Sequence, residues 1–222
     1  MIRSLYFAVV IAVFLTSEIK AALVQLEGSV GPQPFSVSYS STATEPLSFV
    51  LQILNDTETT LNALIWQLEL ELVGIAGSTA EVFFEEPVSP PNGLFDPIPG
   101  PISLFFGTNS HLLIFDGDLL SGTGRQIFPG EARNIVELFV SAQPGATGDF
   151  ELRMRGFDPI APTEGSSLLE SEESIPKSFA NGTAAIGGTF LLGTISISDV
   201  PEPSATGIIL GCIFVTAFWA RK

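Results

Sequence analysis

The feature that most restricts the fold of this chain is an alternation of apolar and polar side chains in several short segments. In the clearest segment the apolar members are Leu64, Trp66, Leu68, Leu70 and Leu72, and the polar members are Gln67, Glu69 and Glu71. A period of two is typical of a β-strand with one buried face and one solvated face. Residues 35–40 and 150–155 show the same alternation. The sequence therefore predicts strands rather than helices between its two terminal apolar segments.

Other apolar runs lack strict alternation and are predicted to be strands covered on both faces. They are residues 47–54, 81–84, 102–106, 112–115, 135–140 and 189–197, to which a short strand at 24–26 is added. Between the strands lie Pro-, Gly-, Asn- and Asp-rich turns, including residues 90–93, 116–118 and 144–145. The pattern predicts an all-β fold, an antiparallel β-sandwich of about nine or ten strands. The proline-rich residues 86–101 are expected to form a surface crossover. The acidic residues 158–177 are expected to form a mobile loop in which Leu168 and Leu169 can dock.

The N-terminus has the three parts of a secretory signal peptide. Arg3 forms a short basic region, residues 5–15 are apolar, and Ala21 and Ala22 offer small side chains for signal peptidase. Residues 1–22 are therefore predicted to form a signal peptide, with cleavage after Ala21 or Ala22. An uncleaved anchor is the alternative, but Glu18 and Lys20 interrupt the apolar stretch.

The C-terminus predicts a single membrane span. Residues 204–220 contain no charged side chain and end at a basic stop formed by Arg221 and Lys222. A helix of this length spans about 26 Å, which is close to the lower limit for crossing the hydrocarbon layer. The basic stop belongs on the cytoplasmic side, so residues 23–199 are predicted to form one domain outside the membrane. Cys212 is the only cysteine, and it excludes an intramolecular disulfide.

The segment at the start of this span closely resembles the PEP-CTERM sorting signal. The residues that carry the resemblance are Val200, Pro201, Glu202, Pro203 and Ser204, followed by a glycine-containing apolar run and the basic stop. The resemblance covers residues 200–222 and implies recognition by an exosortase in a Gram-negative bacterium that makes exopolysaccharide. It also implies residence in the inner membrane with a periplasmic domain, then transfer to the cell surface or extracellular matrix. An ordinary tail anchor is the alternative explanation.

The predicted domain is strongly acidic. Of the chain's 24 Asp and Glu residues only Glu18 lies outside residues 23–203, and that range holds five basic residues, which gives a net charge of about −18. The basic residues are Arg125, Arg133, Arg153, Arg155 and Lys177. Such a surface repels nucleic acid and anionic lipid, because binding either requires clustered cations. Cations and neutral glycans remain as partners, although acidity also serves simply to keep a secreted protein soluble.

The order of strands is similar to that of cohesin-like jelly-roll domains. The resemblance rests on residues 49–55, the long strand at 64–73, the proline-rich crossover, and the turn of Pro129, Gly130 and Glu131 before residues 135–140. It implies a β-sandwich, and in cohesins this sandwich binds dockerins. No binding residue can be matched to this sequence.

Candidate catalytic and metal residues are few, and the domain is predicted not to be an enzyme and to need no cofactor. His111, the only histidine, opens a predicted strand, and no Ser/His/Asp triad, Cys/His dyad or zinc set is present. Glu69 and Glu71 have the spacing of paired glycosidase carboxylates, but their strand suggests a solvent face. Asp116 and Asp118 are the only calcium candidates.

Two further interpretations concern Trp66 and the glycosylation sequons. Trp66 is expected in the core rather than on a sugar-binding surface. Asn55 and Asn181 begin sequons that are interpreted as turns. The sequence thus predicts an exported, surface-sorted, non-enzymatic β-sandwich. A glycan- or protein-binding module is the alternative function, followed by a glycosidase.

Overall fold

The computed structural model describes residues 22–28, 34–79, 81–95, 100–118, 122–158, 164–179 and 188–199. These residues form thirteen strands and no helix, so the predicted all-β class is confirmed. The strands are β1 (Leu23–Leu26), β2 (Phe35–Ser40), β3 (Leu47–Leu54), β4 (Leu61–Gly74), β5 (Val82–Phe84), β6 (Ile102–Phe106), β7 (His111–Gly117), β8 (Arg125–Ile127), β9 (Ala132–Ala142), β10 (Gly148–Arg155), β11 (Ser167–Glu170), β12 (Lys177–Ser178) and β13 (Thr189–Ser198).

The strands form two sheets. The smaller sheet has the order β1-β3-β9-β5, and the larger sheet contains the path β12-β11-β4-β10-β13-β2. On the other edge of β4 lie β7 and β8, and β6 pairs with β7. Strand β4 has 14 residues, which allows it to pair with β10 and β11 on one edge and with β7 and β8 on the other. It is therefore the central strand of the larger sheet.

The sandwich is not wholly antiparallel, which corrects the prediction. Strand β13 pairs with β2 in parallel, from Gly193 opposite Phe35 to Ser198 opposite Ser40. These strands are far apart in the sequence, so no hairpin turn fixes their relative direction. Side-chain alternation has the same period in parallel and antiparallel strands, and the sequence pattern therefore could not distinguish them.

The core lies between the inner faces of the two sheets. Its largest fully buried side chains include Trp66 and Leu68 on β4, Phe84 on β5 and Leu138 on β9. The expected placement of Trp66 in the core is thus confirmed. Burial of such side chains supplies the main favourable free energy of folding.

A β-bulge at Leu64 changes which side chains of β4 face the core. Leu169 of β11 pairs with Ile65, whereas the next residue, Glu170, pairs with Ala63, so Leu64 is the extra residue. Leu61 and Ala63 are buried before the bulge, and Trp66 is buried after it. The prediction that Leu64 faces inward in step with Trp66 is therefore wrong, because one inserted residue reverses the alternation.

Within residues 158–177 the described residues, 158 and 164–177, contain strands that the sequence did not predict. Their described part includes β11, in which Leu168 is fully buried opposite Trp66, so the expected docking of Leu168 is confirmed. The loop prediction is wrong for residues 167–170 and for Lys177, because β11 and β12 extend the larger sheet. The edge of β4 offers backbone donors and acceptors that β11 satisfies. The Lys177 ammonium forms ion pairs with two of the acidic residues of this segment, Glu170 at 2.8 Å and Glu173 at 2.6 Å. These ion pairs reduce the repulsion between the carboxylates.

The predicted signal peptide, cleavage site, sorting motif and membrane span lie outside the described residues, apart from Ala22, which is buried beside β1. Within the part of the chain that the structure describes, no helix is long and apolar enough to cross a membrane.

Candidate binding surfaces

The outer face of the larger sheet carries an apolar surface near the β6 edge. On β6 the side chains of Ile102, Leu104 and Phe106 are 52%, 48% and 45% exposed. Their partners on β7 are Phe115 for Ile102 and Leu113 for Leu104, both half-buried. Residues directly opposite each other on paired strands share one face of a sheet. We call these five residues the β6–β7 face.

The structure corrects the prediction that residues 102–106 form a strand covered on both faces. Phe105 packs against the core, but Ile102, Leu104 and Phe106 point away from it. The other neighbour of β7 is β4, so β6 lies at the edge of the described sheet. An unbroken apolar run does not distinguish a strand buried on both sides from an edge strand with one apolar face exposed.

A polar network borders the β6–β7 face at His111. The Nε2 atom of His111 lies 2.9 Å from Glu69 Oε1, and Arg155 Nη1 lies 3.0 Å from the same oxygen. The other carboxylate oxygen accepts the backbone N–H of Gly165, and Ser166 Oγ accepts the backbone N–H of Glu69 at 2.9 Å. Residues 164–166 therefore cover Glu69, which is only 4% exposed.

The burial of Glu69 corrects its predicted position on the solvent face. Burial by itself would raise the pKa of Glu69, but the N–H of Gly165, the guanidinium of Arg155 and the charge of His111 outweigh it and hold the pKa below its usual range. A carboxylate with this many donors is typical of a structural ion pair. Glu71 lies opposite His111 on β7 and Arg153 on β10, and it is half-buried. His111 opens its strand as predicted.

The two calcium candidates occupy different environments. Asp116 lies on β7, opposite Trp66 of β4. Burial raises the pKa of Asp116 despite the hydrogen bond that its carboxylate accepts from the Gly117 N–H. Asp118 Oδ2 lies 3.4 Å from Arg125 Nε. The prediction that residues 116–118 form a turn is wrong for 116–117, which belong to β7. Among the described residues no group of three or more metal-ligating side chains occurs.

Asn55 confirms the interpretation of its sequon as a turn. Its side-chain amide donates to the carbonyl oxygens of Thr59 and Ile127, both at 2.8 Å. Its Oδ1 accepts the N–H of Thr57 at 3.0 Å, and the residue is fully buried. A buried amide with these partners is inaccessible to a glycosyltransferase. Asn181 lies outside the described residues.

Comparisons with known proteins find solved cohesin structures that are similar to this chain. No protein-family model and no curated protein matches the chain. A cohesin from a type I cohesin–dockerin complex of Clostridium thermocellum is 11% identical, with 82% of this chain and 96% of that chain covered and a TM-score of 0.49. The seventh ScaB type I cohesin of Pseudobacteroides cellulosolvens is 11% identical, with coverages of 83% and 96% and a TM-score of 0.49. CaCohA2 of Clostridium acetobutylicum is 14% identical, with coverages of 85% and 97% and a TM-score of 0.46. Similarity at this level transfers no binding residue and no partner to this chain.

Proposed function

We propose that this chain is an exported, non-enzymatic surface protein whose sandwich binds another protein through the β6–β7 face. The observation that carries the proposal is the contiguous apolar surface of Ile102, Leu104 and Phe106 with Leu113 and Phe115. Exposed apolar side chains that adjoin on one sheet face, with polar residues around them, mark interaction sites in soluble domains. Scattered apolar residues on a surface carry no such meaning.

Charge defines the chemistry of the partner. Residues 23–203 carry a net charge of about −18. The acidic residue Glu71 borders the β6–β7 face, since it lies opposite His111, which pairs with Phe106. A complementary partner therefore presents an apolar centre surrounded by basic side chains, because complementary potentials speed encounter and exclude wrong partners.

The shape of the face favours a protein over a glycan. Sugar rings stack on flat exposed aromatic rings, whereas the exposed side chains here are mainly aliphatic. The ring of Phe106 is tilted by 42° against His111, with centroids 5.1 Å apart. Aliphatic and aromatic side chains side by side suit the apolar centre of a protein interface.

Export and sorting form the second part of the proposal and rest on the sequence. The signal peptide of residues 1–22 carries the domain across the inner membrane, and residues 204–220 hold it there. An exosortase then recognises Pro201, Glu202 and Pro203 and transfers the domain to the cell surface. This route places the β6–β7 face where it meets other surface proteins.

Photo-crosslinking in the native host tests the binding proposal. A photoreactive residue at Leu104 is expected to give a discrete adduct with another surface protein. The same residue at Ile175, which is 69% exposed and outside the face, is the matched control and is expected to give none. Adducts of equal yield from both positions would contradict the proposal, as would the absence of any adduct from position 104.

A further inference from the structure

A cleft at one end of the sandwich is lined by two of the five basic residues of the predicted exported domain. Its volume is about 280 Å³, and its lining residues are Gly93, Leu94, Phe95, Arg125, Gln126 and Arg133. Arg125 begins β8 of the larger sheet, and Arg133 lies on β9 of the smaller sheet. The cleft thus forms where residues 93–95 of the crossover meet both sheets. It shares no residue with the β6–β7 face.

The backbone of the crossover is fixed at the cleft. Asn92 adopts a left-handed conformation with φ 58°, and the N–H of Gly93 donates to the Pro90 carbonyl at 3.1 Å. The N–H of Leu94 donates to the Asn134 carbonyl at 2.7 Å, next to Arg133. Leu94 is only 3% exposed. The wall is therefore formed before a ligand arrives, which reduces the entropy lost on binding.

The guanidinium of Arg133 has donors to offer a ligand. Within the described residues it makes one ion pair, through Nη1, with Glu131 at 3.3 Å. A guanidinium has five N–H donors in a planar fork that matches an oxyanion. Arg125 pairs with Asp118, and Gln126 adds an amide group that can both donate and accept. The cleft therefore offers charged donors for an acid group beside a neutral polar side chain suited to hydroxyl groups.

Size and charge together restrict the ligand. A volume of about 280 Å³ lies just below the range for clefts that hold drug-sized ligands and suits one sugar ring. Residues 23–203 carry a net charge of about −18, which repels a long polyanion. A ligand with a single acid group meets the two arginines at a much smaller electrostatic cost.

We propose that this cleft binds one acid-bearing sugar residue. Arg125 and Arg133 hold the acid group, a carboxylate or a sulfate, and Gln126 contacts the hydroxyl groups of the ring. This inference is independent of the proposed protein-binding face, since either site can be lost without the other.

Ligand-observed saturation-transfer NMR on the full-length protein in detergent micelles tests the inference. The probes are galacturonic acid, galactose 6-sulfate, galactose and inorganic phosphate, each titrated to obtain Kd. We expect at least one acidic sugar to bind, and galactose and phosphate each to bind at least about tenfold more weakly. Binding by both acidic sugars, or by only one, supports the proposal and identifies the acid group. Galactose or phosphate binding as tightly as the acidic sugars would overturn it, as would no binding by any probe.

Substitutions then locate the site. Arg125→Gln and Arg133→Gln are each expected to raise Kd at least about tenfold, because each removes a charged donor pair. Arg153→Gln is the matched control, since Arg153 is 37% exposed and pairs with Glu151, much as Arg133 is 35% exposed and pairs with Glu131. It should change Kd by less than about twofold. Unchanged Kd in both cleft variants, or an equal loss in the control, would overturn the assignment.

A second measurement does not depend on the stability of the variants. Hydrogen exchange of the unmodified protein with the tightest probe should slow at residues 93–95 and 125–126, which line the cleft. Slowing elsewhere, with no change in these residues, would contradict the proposal.

Discussion

Glu69 and His111 form a hydrogen-bonded pair in which Oε1 of the carboxylate lies 2.9 Å from Nε2 of the imidazole. The pair joins β4 to β7, and Arg155 joins the same carboxylate to β10. Gly165 donates to it from the segment that covers β4. One buried carboxylate thus holds together three strands and a covering segment at the border of the β6–β7 face.

Replacing this carboxylate should destabilise the domain in a pH-dependent way. Glu69→Gln keeps the shape but loses the charged hydrogen bonds, so the free energy of unfolding at pH 7 is expected to fall by about 2 kcal/mol. Because the folded pKa of Glu69 is depressed, its contribution is present above the unfolded pKa of about 4.3 and is lost as pH falls through the folded pKa. The difference between wild type and variant should therefore shrink in acid.

Urea unfolding at several pH values measures this difference. Glu58→Gln is the control, since Glu58 is exposed, and it should change stability by less than about 0.5 kcal/mol. A Glu69→Gln effect that stays constant from neutral pH to about pH 3 would show that charge is not its cause.

Two substitutions of Trp66 should show how much of its contribution to the stability of the domain comes from packing. Its ring is fully buried, while its Nε1 has no hydrogen-bond partner among the described residues. Trp66→Ala is expected to cost about 3 to 5 kcal/mol through lost burial and a cavity. Trp66→Phe should cost considerably less, because it retains an aromatic ring and removes an unsatisfied N–H group. Equal losses in the two variants, measured by thermal unfolding, would contradict this account.

Asn55 should be essential to the turn between β3 and β4. Asn55→Ala removes hydrogen bonds to Thr57, Thr59 and Ile127 and leaves buried backbone groups unpaired, with an expected loss of about 3 kcal/mol. Thr57→Val removes only a hydroxyl group and should cost less. Denaturant unfolding compares the two, and an Asn55→Ala variant as stable as wild type would exclude the structural role.

The sorting motif should be required for processing but not for insertion. A plain anchor depends on apolar length and flanking charge, so replacing Pro201, Glu202 and Pro203 with alanine should leave insertion unchanged. In a host with an exosortase the wild-type protein is expected to lose residues 204–222, about 2 kDa at the chain's mean residue mass, whereas the triple variant keeps them. Intact-mass measurement distinguishes the forms, and equal masses at the same location would leave residues 204–222 as an anchor only.

The sequence predicted the fold class well because alternation reports burial directly. Strands β4 and β10 appeared close to their actual positions, since each has one buried face. Side-chain alternation could not predict the bulge at Leu64 or the parallel pairing of β2 with β13. Both depend on pairing between strands that are distant in the sequence. Strand β11 was missed because Leu168 and Leu169 stand alone in an acidic segment.

The candidate sites were less predictable than the fold. The exposed side of β6 has the same apolar composition as a buried strand, and the sequence does not show that this side of the sheet is left uncovered. Glu69 resembled a solvent-facing residue because Arg155 and Gly165, which bury and bind it, lie about ninety residues later. The cleft brings together crossover and strand residues that no local pattern connects.

The affinity of the domain for the protein crosslinked at position 104 tests the central claim most directly. Leu104→Glu places a charge in the centre of the β6–β7 face, whereas Ile175→Glu makes the same change at a more exposed residue outside it. We predict that Leu104→Glu weakens binding at least about thirtyfold, as expected for a residue at the centre of an interface, and that Ile175→Glu changes Kd less than about twofold. Equal Kd values for the two variants, with both folded, would show that the β6–β7 face is not the binding surface.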